Sequence, residues 1–316
     1  MIDITDIEAA RDRVAGTVRR TPTLVANQLK AGLPTEAAVT LKLECLQVTG
    51  SFKARGAMNR LRATPETDLA RGIVTASGGN HGLAVARTAY VAGVPATIFL
   101  PSGVSREKVA KMEAWQARIE IVGDEWSESN RAALAFADET GAIYFHPFAD
   151  PLVIAGQGTL GLEILDDLPE MDTIVIAIGG GGLISGIATA IRARRPGVRI
   201  IGVEPIGSPT LKACLDAGEL VTLAEVTSRV PTMSARRTEP INYEIVSRLV
   251  DEIVLVSDAE MEAASRWLWF EMGIAADLSG AASVAALREG RGDLSGREHV
   301  CALVCGAGAD GTASAS

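Results

Sequence analysis

Residues 45–56 read Cys45-Leu46-Gln47-Val48-Thr49-Gly50-Ser51-Phe52-Lys53-Ala54-Arg55-Gly56. Before them, Val39-Thr40-Leu41-Lys42-Leu43 alternates apolar and polar side chains, the period of a strand. After them, Ala54 to Leu61 has helical spacing. Lys53 therefore falls at a strand-to-helix turn, near a helix N-terminus. The helix dipole and the free amides there disfavour a further positive charge. Packing against Phe52 adds desolvation, so the amine is expected to have a lowered pKa and to attack an aldehyde. Taken alone, a lysine in such a turn is far more often a surface residue closing a loop. The reading therefore depends on what the rest of the chain supplies.

Outward from this turn the pattern is regular. Residues 5–18 have one apolar face (Ile7, Ala10, Val14) and are expected as a helix capped by Thr5 or Asp6 and stopped by Thr21-Pro22-Thr23. Strands are expected at 72–76, 96–100, 118–122 and 143–145, with helices at 81–92, 105–115 and 127–140 between them. A second series follows, with strands at 173–178, 198–203, 252–256 and 299–304 and helices at 183–195, 258–272 and 279–289. Strands alternating with helices of this length predict parallel sheets with right-handed crossovers. The end of the chain, 312–316, is expected to fray.

The 316 residues suggest about two domains. The fold class is α/β, two domains each with a mostly parallel twisted sheet flanked by helices. One domain is expected to combine 1–62 with 150–316, and the smaller, mobile one to span 63–149. A net charge of −9 with no basic run argues against a nucleic-acid partner and against an anionic membrane surface. No apolar run reaches the roughly 20 residues that span a bilayer. The acidic N-terminus lacks the basic-then-apolar pattern of a secretory signal. The four cysteines show neither zinc spacing nor a disulfide framework, and a cytoplasmic location is the expectation.

Three further stretches carry chemistry. Gly179-Gly180-Gly181-Gly182 leaves an apolar strand and enters a helix, where backbone amides can approach an anion closely. Three readings stay open for it: a phosphate cradle, a dinucleotide-binding turn followed by Glu204 at the ribose, or tight packing alone. The G-x-G-x-x-G register fails, because Ile184 or Ser185 falls where the third glycine belongs. Thr75-Ala76-Ser77-Gly78-Gly79-Asn80-His81-Gly82 again joins a strand to a helix start. Its small residues expose amides suited to a carboxylate, and Asn80 can hydrogen-bond a ring hydroxyl. A turn capped by Ser77 or Asn80 is the plainer alternative. Val304-Cys305-Gly306-Ala307-Gly308 ends the last strand, and Cys305 alone would read as an inert buried thiol.

Together these pieces resemble the fold type II pyridoxal-phosphate enzymes, which are tryptophan-synthase-β-like, and most closely their threonine/serine dehydratases and serine racemases. The resemblance runs from the first helix to the last strand. It includes Ser51-Phe52-Lys53-Ala54-Arg55-Gly56-Ala57, Ser77-Gly78-Gly79-Asn80-His81, Ala155-Gly156-Gln157-Gly158-Thr159 and the tetraglycine. It implies that Lys53 carries pyridoxal 5'-phosphate covalently and moves the substrate's Cα proton, with Phe52 near the ring. Asn80 would bond the ring hydroxyl, and Gly179, Gly180, Gly181 and Gly182 the phosphate. Cys305 would face the pyridine nitrogen, and the amides of Ser77, Gly78, Gly79, Asn80 and His81 would receive the carboxylate of an amino-acid substrate. The implied reaction is loss of water from a threonine- or serine-like β-hydroxy amino acid, giving a 2-oxo acid and ammonia, in a homodimer. Hydroxyaspartate, an intermediate of hydroxyectoine breakdown, and amino-acid racemisation are the alternatives.

Departures from the family pattern narrow this. Racemases of the family carry a second acid, a serine, where this chain has Gly78. Their cation site pairs an acid at the position of Glu204 with another six residues on, here Thr210, so no metal is expected. The usual Glu-Pro before the Ser-Gly-Ala-Ala run is Asp277-Leu278. Adjacent Arg236 and Arg237 fall in a region usually glycine-rich and acidic, and could read an extra acidic group on the substrate. The run Trp267-Leu268-Trp269-Phe270 is expected in the core or at a dimer contact.

Overall fold

The computed structural model describes residues 1–312, so most of the end expected to fray lies outside the described residues. The first half of the chain is α1 (Ile4–Val14), β1 (Thr23–Val25), β2 (Ala38–Lys42), α2 (Lys53–Arg62), α3 (Glu66–Leu69), β3 (Ile73–Ala76), α4 (Asn80–Ala92), β4 (Ala96–Leu100), α5 (Arg106–Glu113), β5 (Arg118–Ile121), α6 (Trp126–Thr140) and β6 (Ile143–Tyr144). There follow α7 (Pro151–Asp167), β7 (Thr173–Ala177), α8 (Gly182–Arg194), β8 (Arg199–Pro205), α9 (Thr210–Ala217), α10 (Pro240–Leu249), β9 (Glu252–Val256), α11 (Asp258–Met272), α12 (Leu278–Arg288) and β10 (His299–Leu303).

The strands form two sheets. One has six strands in the order β1-β2-β10-β7-β8-β9, and the other four in the order β5-β4-β3-β6. Every pairing is parallel except β1 with β2. β7 is buried along its whole length, as a parallel strand covered by helices on both faces should be. The four-stranded sheet draws all its strands from residues 73–144.

The helices α3, α9 and α10 went unassigned in the sequence reading, and three further differences are physically instructive. α1 is capped by Asp3, whose side chain accepts from Thr5 N and Asp6 N while Asp6 returns the bond, a capping box that starts earlier than expected. It ends at Val14 because Gly16 turns the chain at φ 73°, not at the proline. β1 is an unforeseen antiparallel edge strand of three residues, too short and too exposed to show a period. The third concerns α7, which the periodicity left unassigned. Its middle is buried on all sides, so no polar stripe marks it. Its glycines admit neighbouring helices: a Cβ on Gly156 would lie 2.6 Å from Gly56 Cα in α2.

Candidate active site

Three chain segments meet where adjacent parallel strands end. β2, β10 and β7 lie side by side, and their carboxyl ends lead to the lysine turn, to Cys305 and to the tetraglycine respectively. This is the general location of ligand sites in open α/β sheets. In the lysine turn, Thr49 and Gly50 take φ of 63° and 79° within the second of two short 3₁₀ turns, Glu44–Leu46 and Val48–Gly50, and reverse the chain there. Backbone bonds then staple it to the end of β10: Ala307 N donates to Gly50 O at 2.8 Å and Phe52 N to Cys305 O at 3.3 Å.

Lys53 opens α2, as expected, and its Nζ donates to Pro147 O at 2.7 Å. The amine sits 5.1 Å from the centroid of the Phe52 ring. No ion pair among the described residues involves it. Burial pushes its pKa down to about 8, with a small opposing effect of Cys305. The lowering agrees with the sequence reading, but desolvation rather than the helix end is its main cause.

Two histidines of the chain's three face this amine, and the sequence reading gave neither of them that place. His146 Nδ1 accepts from Phe148 N (3.2 Å) and Ala149 N (2.9 Å), and burial, reinforced by the charge of Lys53, lowers its pKa to about 4. His81 bonds Phe145 O through Nε2 at 3.1 Å, and since a carbonyl only accepts, Nε2 carries the hydrogen. Burial first, then Lys53, lowers the His81 pKa to about 3. Both rings are neutral at ordinary pH. The clue in the sequence was the scarcity of histidine together with a His-Pro at a strand end.

The tetraglycine turns from β7 into α8, with Gly181 as N-cap at φ 96°. Its floor is full. A Cβ on Gly179 would lie 2.6 Å from Thr232 O, one on Gly182 2.5 Å from Phe148 O, and one on Gly180 would enter the Phe148 ring. Gly180 O accepts from Thr238 Oγ1 and Asn242 Nδ2, each at 3.0 Å, and Asn242 Nδ2 also reaches Phe148 O at 3.1 Å. The first amides of α8 have no carbonyl partner within their own helix and are free for an anion. A backbone cradle held rigidly from below, beside an amine with a lowered pKa and no ion-pair partner, fits a phosphorylated aldehyde.

Residues 77–81 come from the other sheet. Gly79 is the N-cap of α4 and no side chain caps it, although Ser77 Oγ accepts from Gly79 N at 3.4 Å. Asn80 is not a cap. Its Nδ2 donates to Asp277 Oδ2 at 3.0 Å, which ties this loop to the start of α12. Asp277, read in the sequence only as a departure, is the N-cap of that helix and also accepts from Ser279 Oγ (2.7 Å) and Gly280 N (2.6 Å). Burial raises its pKa against those bonds. Its Asp-x-Ser-Gly signature before an apolar helix could have revealed the cap. Cys305 is buried and donates to Ser279 O at 3.4 Å. Burial, then Asp277, pushes its thiol pKa up, so it stays protonated.

Two expected features lie outside this cluster. Glu204 is buried and its carboxylate accepts from Leu211 N (2.8 Å) and Lys212 N (2.9 Å) at the start of α9. No group of three or more His, Cys, Asp or Glu suited to a metal occurs among the described residues. Arg236 donates to Leu223 O and Ala224 O, both at 2.9 Å, and so fastens a surface loop. No helix among the described residues is long and apolar enough to cross a membrane.

Comparison with known proteins agrees with this geometry. Residues 14–306 match the family model described as pyridoxal-phosphate dependent enzyme. An L-threonine ammonia-lyase of Geobacter sulfurreducens is 40% identical over 306 residues, 96% of this chain and 75% of that protein. The solved structure of maize serine racemase superposes with a TM-score of 0.91 at 32% identity, covering 96% of this chain and 93% of that one. A threonine deaminase from T.th. superposes with a TM-score of 0.90 at 33% identity over the full length of both chains. The chain belongs to the fold type II pyridoxal-phosphate dependent enzymes, in their threonine dehydratase and serine racemase family.

Proposed function

We propose that this protein is an ammonia-lyase that removes water from L-threonine, and less readily from L-serine, to give a 2-oxo acid and ammonia. The observation that carries the reading is the uncharged surroundings of one amine. Lys53 has a pKa near 8, neutral neighbours and a glycine cradle beside it, in a chain 40% identical to an L-threonine ammonia-lyase.

In this reading Lys53 holds pyridoxal phosphate, and the amides of Gly179, Gly180, Gly181 and Gly182 hold its phosphate. Phe52 would border the ring, Asn80 would bond its hydroxyl and Cys305 would face its nitrogen. Bound there, the cofactor supplies an electron sink for negative charge at Cα. Lys53, once free, takes the Cα proton, for which a pKa near working pH is well matched. Amides of Ser77, Gly78, Gly79, Asn80 and His81 orient the substrate carboxylate. Cys305, held protonated by burial, would place a neutral group on the nitrogen side, which suits loss of the β-hydroxyl.

The same reading takes 63–149 as a small unit that closes over the larger one, and two copies as the working assembly. The exposed Trp269 and Phe270, next to buried Trp267 and Leu268, support such a contact. A cytoplasmic setting suits the four free, buried cysteines. The test is a 2-oxo-acid assay over threonine, serine, hydroxyaspartate and bulkier β-hydroxy amino acids, with borohydride trapping and peptide mass spectrometry. An adduct at Lys53 and fastest turnover of threonine are expected. Turnover of none of them, or an adduct elsewhere, overturns the reading.

A further inference from the structure

Residues 145–150 carry the chain from β6 of the four-stranded sheet to α7. Both ends of this crossing are tied. Phe145 O accepts from Thr75 Oγ1 at 2.7 Å and from His81 Nε2 at 3.1 Å. Asp150 caps α7 by accepting from Leu152 N at 2.8 Å, and Arg60 Nε of α2 donates to it at 2.6 Å. Between the ties stands His146. Its Nδ1 accepts from both Phe148 N and Ala149 N, so that atom is unprotonated and Nε2 carries the ring hydrogen. Pro147 has no N–H, so these are the first amides after the histidine. The imidazole also meets the Phe148 ring edge-on, with centroids 4.6 Å apart.

We propose that His146 is a positioning residue of this site: by holding one backbone turn through Nδ1, it keeps the Lys53 amine and the glycine cradle in register. The turn reaches both. Pro147 O accepts from Lys53 Nζ at 2.7 Å. One residue on, Phe148 O accepts from Asn242 Nδ2 at 3.1 Å, and the same nitrogen donates to Gly180 O at 3.0 Å. The two carbonyls belong to adjacent peptide planes, joined only by the two soft dihedrals of Phe148. Freeing the amides of Phe148 and Ala149 therefore lets both carbonyls turn away together. Closing a turn from a side-chain acceptor is ordinarily the work of Asn, Asp or Ser. An aspartate here would accept the same amides but would set a negative charge near Lys53 and favour the charged amine. A neutral imidazole supplies the acceptor without that charge. The inference rests on the reading that Lys53 and the tetraglycine hold pyridoxal phosphate. His146 acts through Pro147 and Phe148 and needs no contact with cofactor or substrate.

The test compares wild type, His146→Phe and His146→Asn as cofactor-free proteins. Each is given pyridoxal phosphate, or pyridoxal, which lacks the phosphate, and capture at Lys53 is followed by absorbance. Phenylalanine keeps a ring beside Phe148 but has no acceptor. Asparagine Oδ1 stands the same number of bonds from Cα as Nδ1 and can accept both amides. His146→Phe should slow capture of either aldehyde about tenfold, and lower the preference for the phosphorylated one by about tenfold or more. His146→Asn should stay within about threefold of wild type in both. A lower Tm with rate and preference unchanged marks a merely structural residue and overturns the proposal, as does an Asn variant as impaired as the Phe one. Should His146→Phe fail to fold, Asn242→Ser carries the test, since it cuts the link from Phe148 O to Gly180 O with the histidine in place. It should lower the phosphate preference about tenfold while pyridoxal capture stays within about threefold, and an unchanged preference overturns the link to the cradle. Hydrogen exchange separates the proposal from the functional reading. The Phe148 and Ala149 amides should exchange about tenfold faster or more in His146→Phe than in wild type or His146→Asn. Equal exchange in all three overturns the turn. A wild type that captures no pyridoxal phosphate at Lys53 overturns the functional reading and the register claim with it, while exchange still decides whether His146 holds the turn.

Discussion

Lys53 and Arg55 sit two residues apart at the start of α2, and their surroundings are opposite. Arg55 is buried with a carboxylate clamp. Its Nε and Nη2 donate to Glu44 at 2.9 and 2.6 Å, and Nη2 also reaches Glu163 at 2.9 Å. Lys42, fully buried, extends the cluster to Glu163 and Asp167, each at 2.7 Å. Burial alone would lower the pKa of Arg55, but Glu44 and Glu163 overcome it and drive it up. Lys53 meets a carbonyl, a phenyl ring and two neutral histidines, and burial prevails. One short helix therefore fixes a permanent cation to Glu44 and to Glu163 of α7 while leaving its first residue with an amine of lowered pKa. The difference lies in the partners supplied, and the partners lie up to 108 residues away in sequence.

Removing each role should fail in a different observable. Lys53→Ala is expected to cut 2-oxo-acid formation by about 10³-fold or more. Its Tm without cofactor should be no lower than that of cofactor-free wild type, because an amine that resists charging is removed. Retained turnover would break the comparison at its catalytic end. Glu44→Gln should do the reverse. It strips a buried guanidinium of its main counter-charge, at a cost of about 3–5 kcal/mol in urea unfolding. A loss below about 1 kcal/mol would mean that Arg55 is not held as a charge. Surviving folded protein should still trap cofactor at Lys53.

Glu204 sharpens the comparison as a buried acid with only amides for partners. Burial raises its pKa to about 7 against bonds from Lys212 N and Leu211 N. Its folded pKa stands above the ordinary 4.5, so the folded chain binds more protons between the two values. The stability this contributes is fully present below 4.5 and lost as pH rises through 7. Relative to Glu204→Gln, wild type should lose on the order of 2–3 kcal/mol between about pH 5 and pH 8. Thermal unfolding of both proteins across that range measures it, and parallel curves would show that the carboxylate is ionised throughout.

The same contrast explains what could be read from the chain. The lysine turn, the tetraglycine, the asparagine loop and Cys305 are each local, a strand end running into a turn, and their signals lie within a few residues. Parallel alternation was legible for the same reason. The Asn80–Asp277 bond spans 197 positions, and no local pattern announces it. The His146–Phe148 segment supports the amine through a backbone carbonyl, which any residue can supply. α7 escaped because burial on every side erases periodicity, and because Gly156, Gly158 and Gly161 imitate a loop while serving helix contacts. Gly78 looked like a missing acid, and only the structure showed that Val104 occupies the space a side chain there would take.

The smallest effect bears most directly on Lys53. Only the neutral amine attacks an aldehyde, so capture of pyridoxal phosphate by the cofactor-free protein should follow the neutral fraction. With a pKa of about 8, roughly one amine in ten is neutral at pH 7. Capture should therefore quicken about tenfold from pH 7 and level off near pH 9. A lysine at its ordinary 10.5 would keep accelerating through that point. The folded pKa lies below the unfolded one, so the unfolded chain holds more protons between 8 and 10.5, and the stability of cofactor-free wild type should rise with pH through that window. Lys53→Met should abolish the rise. Arg55 offers the control within the same helix, since its pKa is driven above its ordinary value and it does not titrate in this range. A capture rate without a plateau, together with a stability curve unchanged by Lys53→Met, would place the amine in water and erase the distinction between the two cations.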